Sequence, residues 1–160
     1  MTHQHQNNIK VLFVCHGNIC RSPMALYYFK DLVKTNGMEE CFVLDSAATS
    51  TEELGNGVHR GTREKLAQAG IPCQGHRAKQ MKRQDYENYD YLIGMDSWNI
   101  RNMKSITGGD PDSKIYKLLD FTGSGRDVAD PWYTGDFEAT WEDITAGCNA
   151  LYAQIASTNP

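Results

Sequence analysis

The 160-residue sequence lacks the cysteine patterns that mark small disulfide-rich or zinc-binding proteins. Its five cysteines are odd in number and scattered along the chain, and no Cys-x-x-Cys pair occurs. A disulfide framework needs paired cysteines, and a structural zinc site needs closely spaced cysteines and histidines. We therefore expect neither, and we interpret His3 and His5 as part of the polar N-terminal tail rather than as metal ligands.

Long apolar runs are missing as well. The apolar run at residues 11–14 is too short for the core of a signal peptide, and no stretch approaches the length of a membrane span. Together with the absence of a disulfide pattern, this favours the reducing cytoplasm. We expect a cytoplasmic protein that neither binds a membrane nor carries a metal or another cofactor.

An excess of positive charge is also lacking. The chain has 16 Lys and Arg against 20 Asp and Glu, a net charge of −4. Nucleic-acid-binding proteins usually carry a basic stripe, so we expect no nucleic-acid partner. A small anion can still bind, because backbone amides and one arginine act locally, whatever the net charge.

The chain contains short apolar segments that alternate with helical patterns. Strands are predicted at residues 10–15, 41–46, 90–95 and 114–119. Helices are predicted from about Ser22, over 58–69 with Gly70 at the C-cap, from about Ser97, and at the C-terminus. The alternation indicates an α/β fold with a parallel sheet. We predict one domain over residues 9–157, after a disordered tail at residues 1–8.

The C-terminal helix carries one apolar stripe. Its members recur at steps of three and four residues, as expected for the face that a helix turns toward a core. We predict all of them to be core residues: Phe137, Trp141, Ile144, Cys148, Leu151 and Ile155. Two stretches rich in Gly, Asp and Pro, residues 107–113 and 122–131, are predicted as long loops, which are often functional.

The turn between the first strand and the first helix carries the chemistry. Residues 15–22 read Cys-His-Gly-Asn-Ile-Cys-Arg-Ser and lie where α/β proteins bind ligands, outside the carboxyl end of a strand. Successive amides in such a turn and the following helix N-terminus attract an anion, and an arginine fork suits phosphate. The same field favours a thiolate at Cys15. We expect Gly17 to supply a free φ in the turn and Asn18 to tolerate a left-handed conformation better than most residues. We also expect Ser22 to cap the helix and donate to the sulfur.

A second element supplies an acid. Asp130 lies in Ala-Asp-Pro-Trp-Tyr at residues 129–133, where the proline stiffens the loop and two aromatic residues follow. Alone, Asp-Pro indicates an ordinary turn. Beside a Cys-x5-Arg loop, it indicates a general acid next to a slot for an aryl group.

These motifs resemble a known family. VCHGNICRSPMA resembles the phosphate-binding signature of the low-molecular-weight protein tyrosine phosphatases, and DPWY resembles their general-acid loop. Residues 45–50, 70–78, 90–96 and the closing helix are also similar. The resemblance implies a four-stranded parallel sheet with helices on both faces and a phosphate-binding loop after the first strand. It also implies metal-free hydrolysis of phosphotyrosine and aryl phosphates through a phosphocysteine.

The resemblance also implies roles for single residues. Cys15 would be the nucleophile, Arg21 the phosphate ligand, and Asp130 the acid and then the base. Ser22, Ser46 and His76, together with Asn18, would hold the loop. Glu52 lies where the family often has an aromatic residue, which suggests that acidic phosphopeptides are disfavoured. Substrate contacts are expected from the loop and from the aromatic wall: His16, Gly17, Asn18, Ile19, Cys20, Trp132 and Tyr133.

Several alternatives stay open at this point. Cys20 is either a small buried apolar side chain or, as the resemblance suggests, the partner of Cys15 in a protective reversible disulfide. An arsenate reductase of the same architecture needs further cysteines close together, but none lies between Cys73 and Cys148. A binding module would have lost the nucleophile, arginine or acid, and a redox protein would not need the last two. The expected protein is a monomer that acts on a phosphotyrosine protein or a small aryl phosphate.

Overall fold

The structure, a computed structural model, describes residues 8–158. Except for Asn8, the predicted disordered tail at residues 1–8 lies outside these residues, as do His3 and His5. The described chain contains four strands, six α-helices and two 3₁₀ turns, at Glu39–Cys41 and Leu118–Thr122. In chain order the strands and α-helices are β1 Ile9–Cys15, α1 Arg21–Thr35, β2 Phe42–Ala48, α2 Arg60–Gln68, α3 Asp85–Asn88, β3 Tyr91–Gly94, α4 Ser97–Thr107, β4 Ile115–Lys117, α5 Pro131–Thr134 and α6 Phe137–Thr158.

The four strands form one parallel sheet in the order β2-β1-β3-β4. The chain moves from β1 to β2 on one side, and its next strand, β3, pairs with β1 on the other side. The carboxyl ends of β1 and β3 therefore flank the point where the strand order reverses, which is the ligand-binding crevice of open α/β sheets. Cys15 ends β1, and Asp96 follows β3 by two residues.

Both faces of the sheet are covered, because side chains alternate along β1. Val11 and Phe13 pack in the cluster that contains the buried stripes of α1 and α6. Leu12 and Val14 pack on the opposite face, with Met103 of α4. A strand buried on both faces needs a continuous apolar sequence, which explains the run that precedes Cys15. The predicted α/β class, with a four-stranded parallel sheet and helices on both faces, is confirmed.

Several predicted boundaries shift. The second strand extends to Ala48 because it pairs with β1 as far as Cys15, and the fourth ends at Lys117, where a 3₁₀ turn begins. The predicted loop at 122–131 is a loop over residues 123–130; its first residue ends a 3₁₀ turn and its last begins α5, which Asp130 caps. The stripe of α6 is core at Ile144, Cys148, Leu151 and Ile155, whereas Phe137 and Trp141 are only half-buried. Of the helices within residues 8–158, none has the length and apolarity needed to cross a membrane.

Candidate active site

The β1–α1 loop, residues 15–22, turns its carbonyl groups away from the centre of the turn and holds them there. Five of its carbonyl oxygens accept hydrogen bonds from other segments of the chain. The pairs, with their distances, are Cys15 O from Thr49 N (2.9 Å), His16 O from Ser50 N (3.1 Å), Asn18 O from His76 Nε2 (2.8 Å), Ile19 O from His59 N (2.8 Å) and Cys20 O from the Thr62 hydroxyl (3.0 Å). Because the carbonyls point outward, the amides are free to face inward as an anion-binding nest.

The Cys15 sulfur lies inside this nest. The amide nitrogens of Asn18 and Ser22 are 3.3 and 3.4 Å from Sγ, and the Ser22 hydroxyl oxygen is 3.1 Å away. The Ser22 oxygen already accepts a hydrogen bond from Asn18 Nδ2 at 2.8 Å, which leaves its own hydrogen free to point to the sulfur. Two amides and a hydroxyl on one sulfur are the donors that stabilise a thiolate.

Of the two loop residues suited to a positive φ, Asn18 has one, at 61°, and Gly17 does not; the side chain of Asn18 explains how. Its Nδ2 donates to the Ser22 and Ser46 hydroxyls at 2.8 and 2.9 Å, and its Oδ1 accepts from Lys79 N at 3.1 Å. These bonds fix a left-handed conformation that asparagine tolerates. Gly17 matters for space instead, since a Cβ there would lie 3.3 Å from Glu53 Cγ.

Ser22 is not a helix cap. Helix α1 begins at Arg21, its N-cap is Cys20, and no side chain caps it. Ser22 is fully buried, and its hydroxyl is used by the sulfur and by Asn18 instead. The tertiary contact to Cys15 therefore replaces the local capping bond that the sequence favours.

Arg21 is 2% exposed and is held by three groups. Its Nη1 donates to Asp96 Oδ2 and to the Val128 carbonyl, both at 2.8 Å, and its Nη2 lies 3.4 Å from Asp130 Oδ2. Burial by itself lowers the pKa of Arg21, but the negative charges of Cys15, Asp130 and Asp96 outweigh it and raise the pKa above its usual value. Because Nη1 is fully occupied, Nε–H and an Nη2–H are the donors left for a two-point contact with an anion.

Asp130 is fixed next to this guanidinium. As the N-cap of α5, its Oδ1 accepts from Trp132 N at 3.0 Å, which leaves Oδ2 toward Arg21. The preceding segment is anchored to the sheet, because the buried Val128 donates from N to Met95 O at 2.9 Å. The loop at residues 128–131 and the β1–α1 loop thus meet at one carboxylate and one arginine, 109 positions apart in the sequence.

Together the two loops and residues 52–53 line a pocket of about 90 Å³ that opens to solvent. Every predicted substrate contact except Asn18 lines it; Asn18 has its side chain in the supporting network and offers only its backbone amide. Trp132 and Tyr133 are 58% and 83% exposed at the mouth of the pocket. The lining residues are Cys15, His16, Gly17, Ile19, Cys20, Arg21, Glu52, Glu53, Asp130, Trp132 and Tyr133.

The predicted loop-supporting residues are also in place around Asn18. Ser46 accepts from its side-chain amide, and His76, half-buried, donates from Nε2 to its carbonyl at 2.8 Å. Burial lowers the pKa of His76, and this effect outweighs the opposing hydrogen bond to the Asn18 carbonyl. Cys20 is 5% exposed, and burial, followed by the negative charges of Cys15 and Asp130, raises the pKa of its thiol to about 12.

Three further residues of the site were missed from the sequence. Asp96 pairs with Arg21, Thr62 binds the Cys20 carbonyl, and the ring of His59 lies edge-on to Trp132 at 5.7 Å. The position of Asp96 offered a signal, since a carboxylate just after the third predicted strand must lie near the end of a neighbouring strand. Thr62 and His59 offered none, because their roles depend on how α2 packs.

Comparison with known proteins places the chain in a family. The model of the low molecular weight phosphotyrosine protein phosphatase family matches residues 10–159. The chain is 44% identical over 149 residues to the low molecular weight protein-tyrosine-phosphatase YfkJ of Bacillus subtilis, covering 92% of this chain and 96% of that one. It is 36% identical over 150 residues to the phosphatase PtpA of Staphylococcus aureus, covering 92% and 94%. The crystal structure of YfkJ superimposes with a TM-score of 0.93 at 42% identity, covering 96% and 98%.

The fold is thus that of a solved relative over nearly the whole chain. The chain belongs to the low molecular weight phosphotyrosine protein phosphatase family, a family of hydrolases. The resemblance predicted from the two motifs is confirmed, and so is the prediction of an enzyme of the protein-tyrosine-phosphatase type.

Proposed function

We propose that the protein hydrolyses phosphotyrosine and other aryl phosphates through a phosphocysteine intermediate at Cys15, with Asp130 as general acid and base and without a metal. One observation carries the proposal. The Cys15 sulfur lies within 3.4 Å of two amides and a hydroxyl, and the arginine that follows it in the loop also contacts the Asp130 carboxylate. Nucleophile, anion ligand and acid thus share one pocket.

Binding precedes chemistry. The inward amides of the β1–α1 loop and the free Nε–H and Nη2–H of Arg21 take the nonbridging oxygens of the phosphoryl group. This places the phosphorus above Cys15 Sγ. Ile19 and the exposed aromatic rings of Trp132 and Tyr133 then contact the aryl group, and His16 contacts the edge of the substrate. These donors are preorganised, so they stabilise the charge of the transition state at little cost of reorganisation.

The chemistry has two steps. The thiolate attacks phosphorus, so that the S–P bond forms as the bond to the phenolic oxygen breaks, and Asp130 gives its proton to that oxygen. Water then attacks the phosphocysteine, Asp130 takes a proton from it, and the S–P bond breaks to release phosphate. The Ser22 hydroxyl and the two amides stabilise the sulfur as it leaves.

The supporting residues act through the loop. Asn18 fixes the turn, Ser46 and His76 fix Asn18, and Gly17 leaves room for Glu53. The cytoplasmic location, the monomeric state and the domain limits of 9–157 stay predictions. A Cys15–Cys20 disulfide also stays a prediction, and the buried thiol of Cys20 is equally suited to a packing role.

The test is hydrolysis of free phosphotyrosine in excess EDTA. We expect wild type to turn over, Cys15→Ser to be inactive, and Asp130→Asn to be slowed by about 10²-fold or more, as loss of a general acid predicts. Two matched controls, Cys41→Ser and Asp31→Asn, change exposed residues outside the pocket and should behave as wild type. An inert wild type, or an active Cys15→Ser, would contradict the proposal, and thioredoxin-dependent arsenate reduction would then be measured.

A further inference from the structure

His59 precedes α2, far in sequence from both loops, yet it contacts the two sides of the pocket. Its backbone N–H donates to the Ile19 carbonyl at 2.8 Å, which fixes the β1–α1 loop. Its imidazole lies edge-on to the Trp132 ring, with centroids 5.7 Å apart and an interplanar angle of 76°. Edge-to-face rings at this distance attract each other, so the imidazole supports the indole.

The imidazole is itself held from two directions. It stacks on Phe137, the first residue of α6, with centroids 5.2 Å apart and an interplanar angle of 16°. Its Nδ1 accepts from Gly61 N at 3.0 Å, which caps α2. A Cβ at residue 61 would lie 2.4 Å from the Phe137 ring, so the glycine leaves the space in which Phe137 backs the imidazole.

The half-buried His59 therefore supports an exposed wall. Trp132 is 58% exposed, and its side-chain ring contacts in the described chain come from His59. Asp130 fixes the backbone of the same turn through Trp132 N but does not fix the ring. His59 thus links the two sides of the pocket, since its backbone holds Ile19 and its ring touches Trp132.

From this geometry we propose that His59 is a positioning residue for substrate choice: it holds Trp132 at a set distance from the β1–α1 loop, so that the pocket favours aryl over alkyl phosphates. The inference rests on the proposed function, because it concerns the leaving group of that reaction. His59 does not line the pocket, and its effect on the substrate passes through Trp132.

Two substitutions separate the two roles of the side chain. His59→Asn keeps a good N-cap acceptor for α2 and removes the ring, whereas His59→Phe keeps a ring and removes the acceptor. The measured quantity is the ratio of kcat/KM for phenyl phosphate to kcat/KM for phosphoserine, with thermal unfolding to verify folding. The inhibition constant of inorganic phosphate reports separately on the β1–α1 loop. Trp98→Ala, an exposed aromatic residue on α4, is the control.

We expect the aryl-to-alkyl ratio of His59→Asn to fall about 2- to 12-fold, the worth of one aromatic contact, while the phosphate inhibition constant stays unchanged. His59→Phe and Trp98→Ala should keep the wild-type ratio. Trp132→Leu should lower the ratio as well, and adding His59→Asn to it should cause no further loss, because the two residues act in series.

Three results would overturn the inference: an unchanged ratio in His59→Asn, an equal loss in His59→Phe, or additive losses in the double variant. Failure of the proposed function looks different. In that case the wild type itself would hydrolyse neither phosphate ester, and no ratio could be formed.

Discussion

In the β1–α1 loop, Asn18, Arg21 and Ser22 are at most 2% exposed, and each is hydrogen-bonded to at least two partners. At the mouth of the same pocket, Trp132 and Tyr133 are 58% and 83% exposed. We call the exposed residues His16, Glu52, Trp132 and Tyr133, together with the half-buried Glu53, the rim. The buried loop fixes where the phosphoryl group binds, and its geometry depends on several segments at once. Single substitutions can alter the rim without disturbing the β1–α1 loop. The rim is therefore suited to select the leaving group of the substrate.

The largest effect is expected when the β1–α1 loop is disturbed from a residue outside it. Asp96→Ala removes the carboxylate that holds Arg21 Nη1 and leaves a buried guanidinium misplaced. We expect kcat/KM for phosphotyrosine to fall about 10²-fold and phosphate inhibition to weaken in parallel, because small misplacements in an active site cost that much. Asp127→Asn, an exposed carboxylate that binds Ser97 and Lys117, is the control and should keep wild-type kinetics. If inorganic phosphate inhibited Asp96→Ala with the wild-type inhibition constant, Asp96 would not be needed to position Arg21.

A substitution inside the loop, with a smaller expected effect, tests the hydrogen bond from Ser22 to the Cys15 sulfur. Ser22→Ala removes the hydroxyl 3.1 Å from Cys15 Sγ. Hydrogen bonds to charged groups contribute about 1.5–3 kcal/mol, so kcat should fall about 10- to 150-fold. Ser157→Ala, near the end of α6, serves as the control. If Ser22→Ala kept the wild-type kcat, the serine would have only a structural role.

The rim should respond more weakly. Glu52 lines the pocket and pairs with His16 Nε2 at 3.1 Å, with both side chains about half exposed or more. Exposed charge pairs contribute little, so Glu52→Gln should raise kcat/KM for phosphotyrosine peptides with acidic neighbours by about 2- to 5-fold relative to peptides with basic neighbours. Glu64→Gln, on α2 beside Arg60, is the matched control. If the ratio of kcat/KM for acidic to basic peptides did not change, Glu52 would have no role in substrate selection.

The smallest effect concerns pH. Burial lowers the pKa of His76 below its ordinary value of 6.5, so the folded protein binds the proton less readily than the unfolded chain. The stability due to this group is therefore complete above pH 6.5 and is lost as the pH falls through the lowered pKa. Between pH 7.5 and about pH 5, which spans the ordinary titration of histidine, the Tm of the wild type should fall further than the Tm of His76→Gln. Parallel pH profiles of the two proteins would contradict this.

The sequence predicts those features of the site that depend on neighbouring residues, and it misses those that depend on contacts between distant segments. Cys15, Arg21 and Asp130 lie in short contiguous motifs whose chemistry is local, and the apolar run before Cys15 predicted the central strand. The suitability of Asn18 for a left-handed conformation and the bond of the Ser22 hydroxyl to the sulfur were predicted. That Gly17 needs no positive φ and that Ser22 does not cap the helix could not be predicted, because the bonds of Asn18 to Ser46 and Lys79 and of Ser22 to the sulfur overrule local turn and cap preferences. The contacts of His59 and Thr62 were beyond reach, since they depend on the packing of α2.

The central claim is that the phosphoryl group passes through Cys15. The most direct measurement mixes the enzyme with phosphotyrosine, quenches by denaturation during turnover, and locates the phosphoryl group by peptide mass analysis and phosphorus NMR. Asp130→Asn with an activated aryl phosphate serves as a second sample, because a good leaving group needs no general acid whereas hydrolysis of the intermediate still needs the base. We expect one phosphoryl group, bonded through an S–P bond to the Cys15 sulfur, and none in Cys15→Ser. A phosphoryl group on His16, or steady turnover with none on the protein, would contradict it.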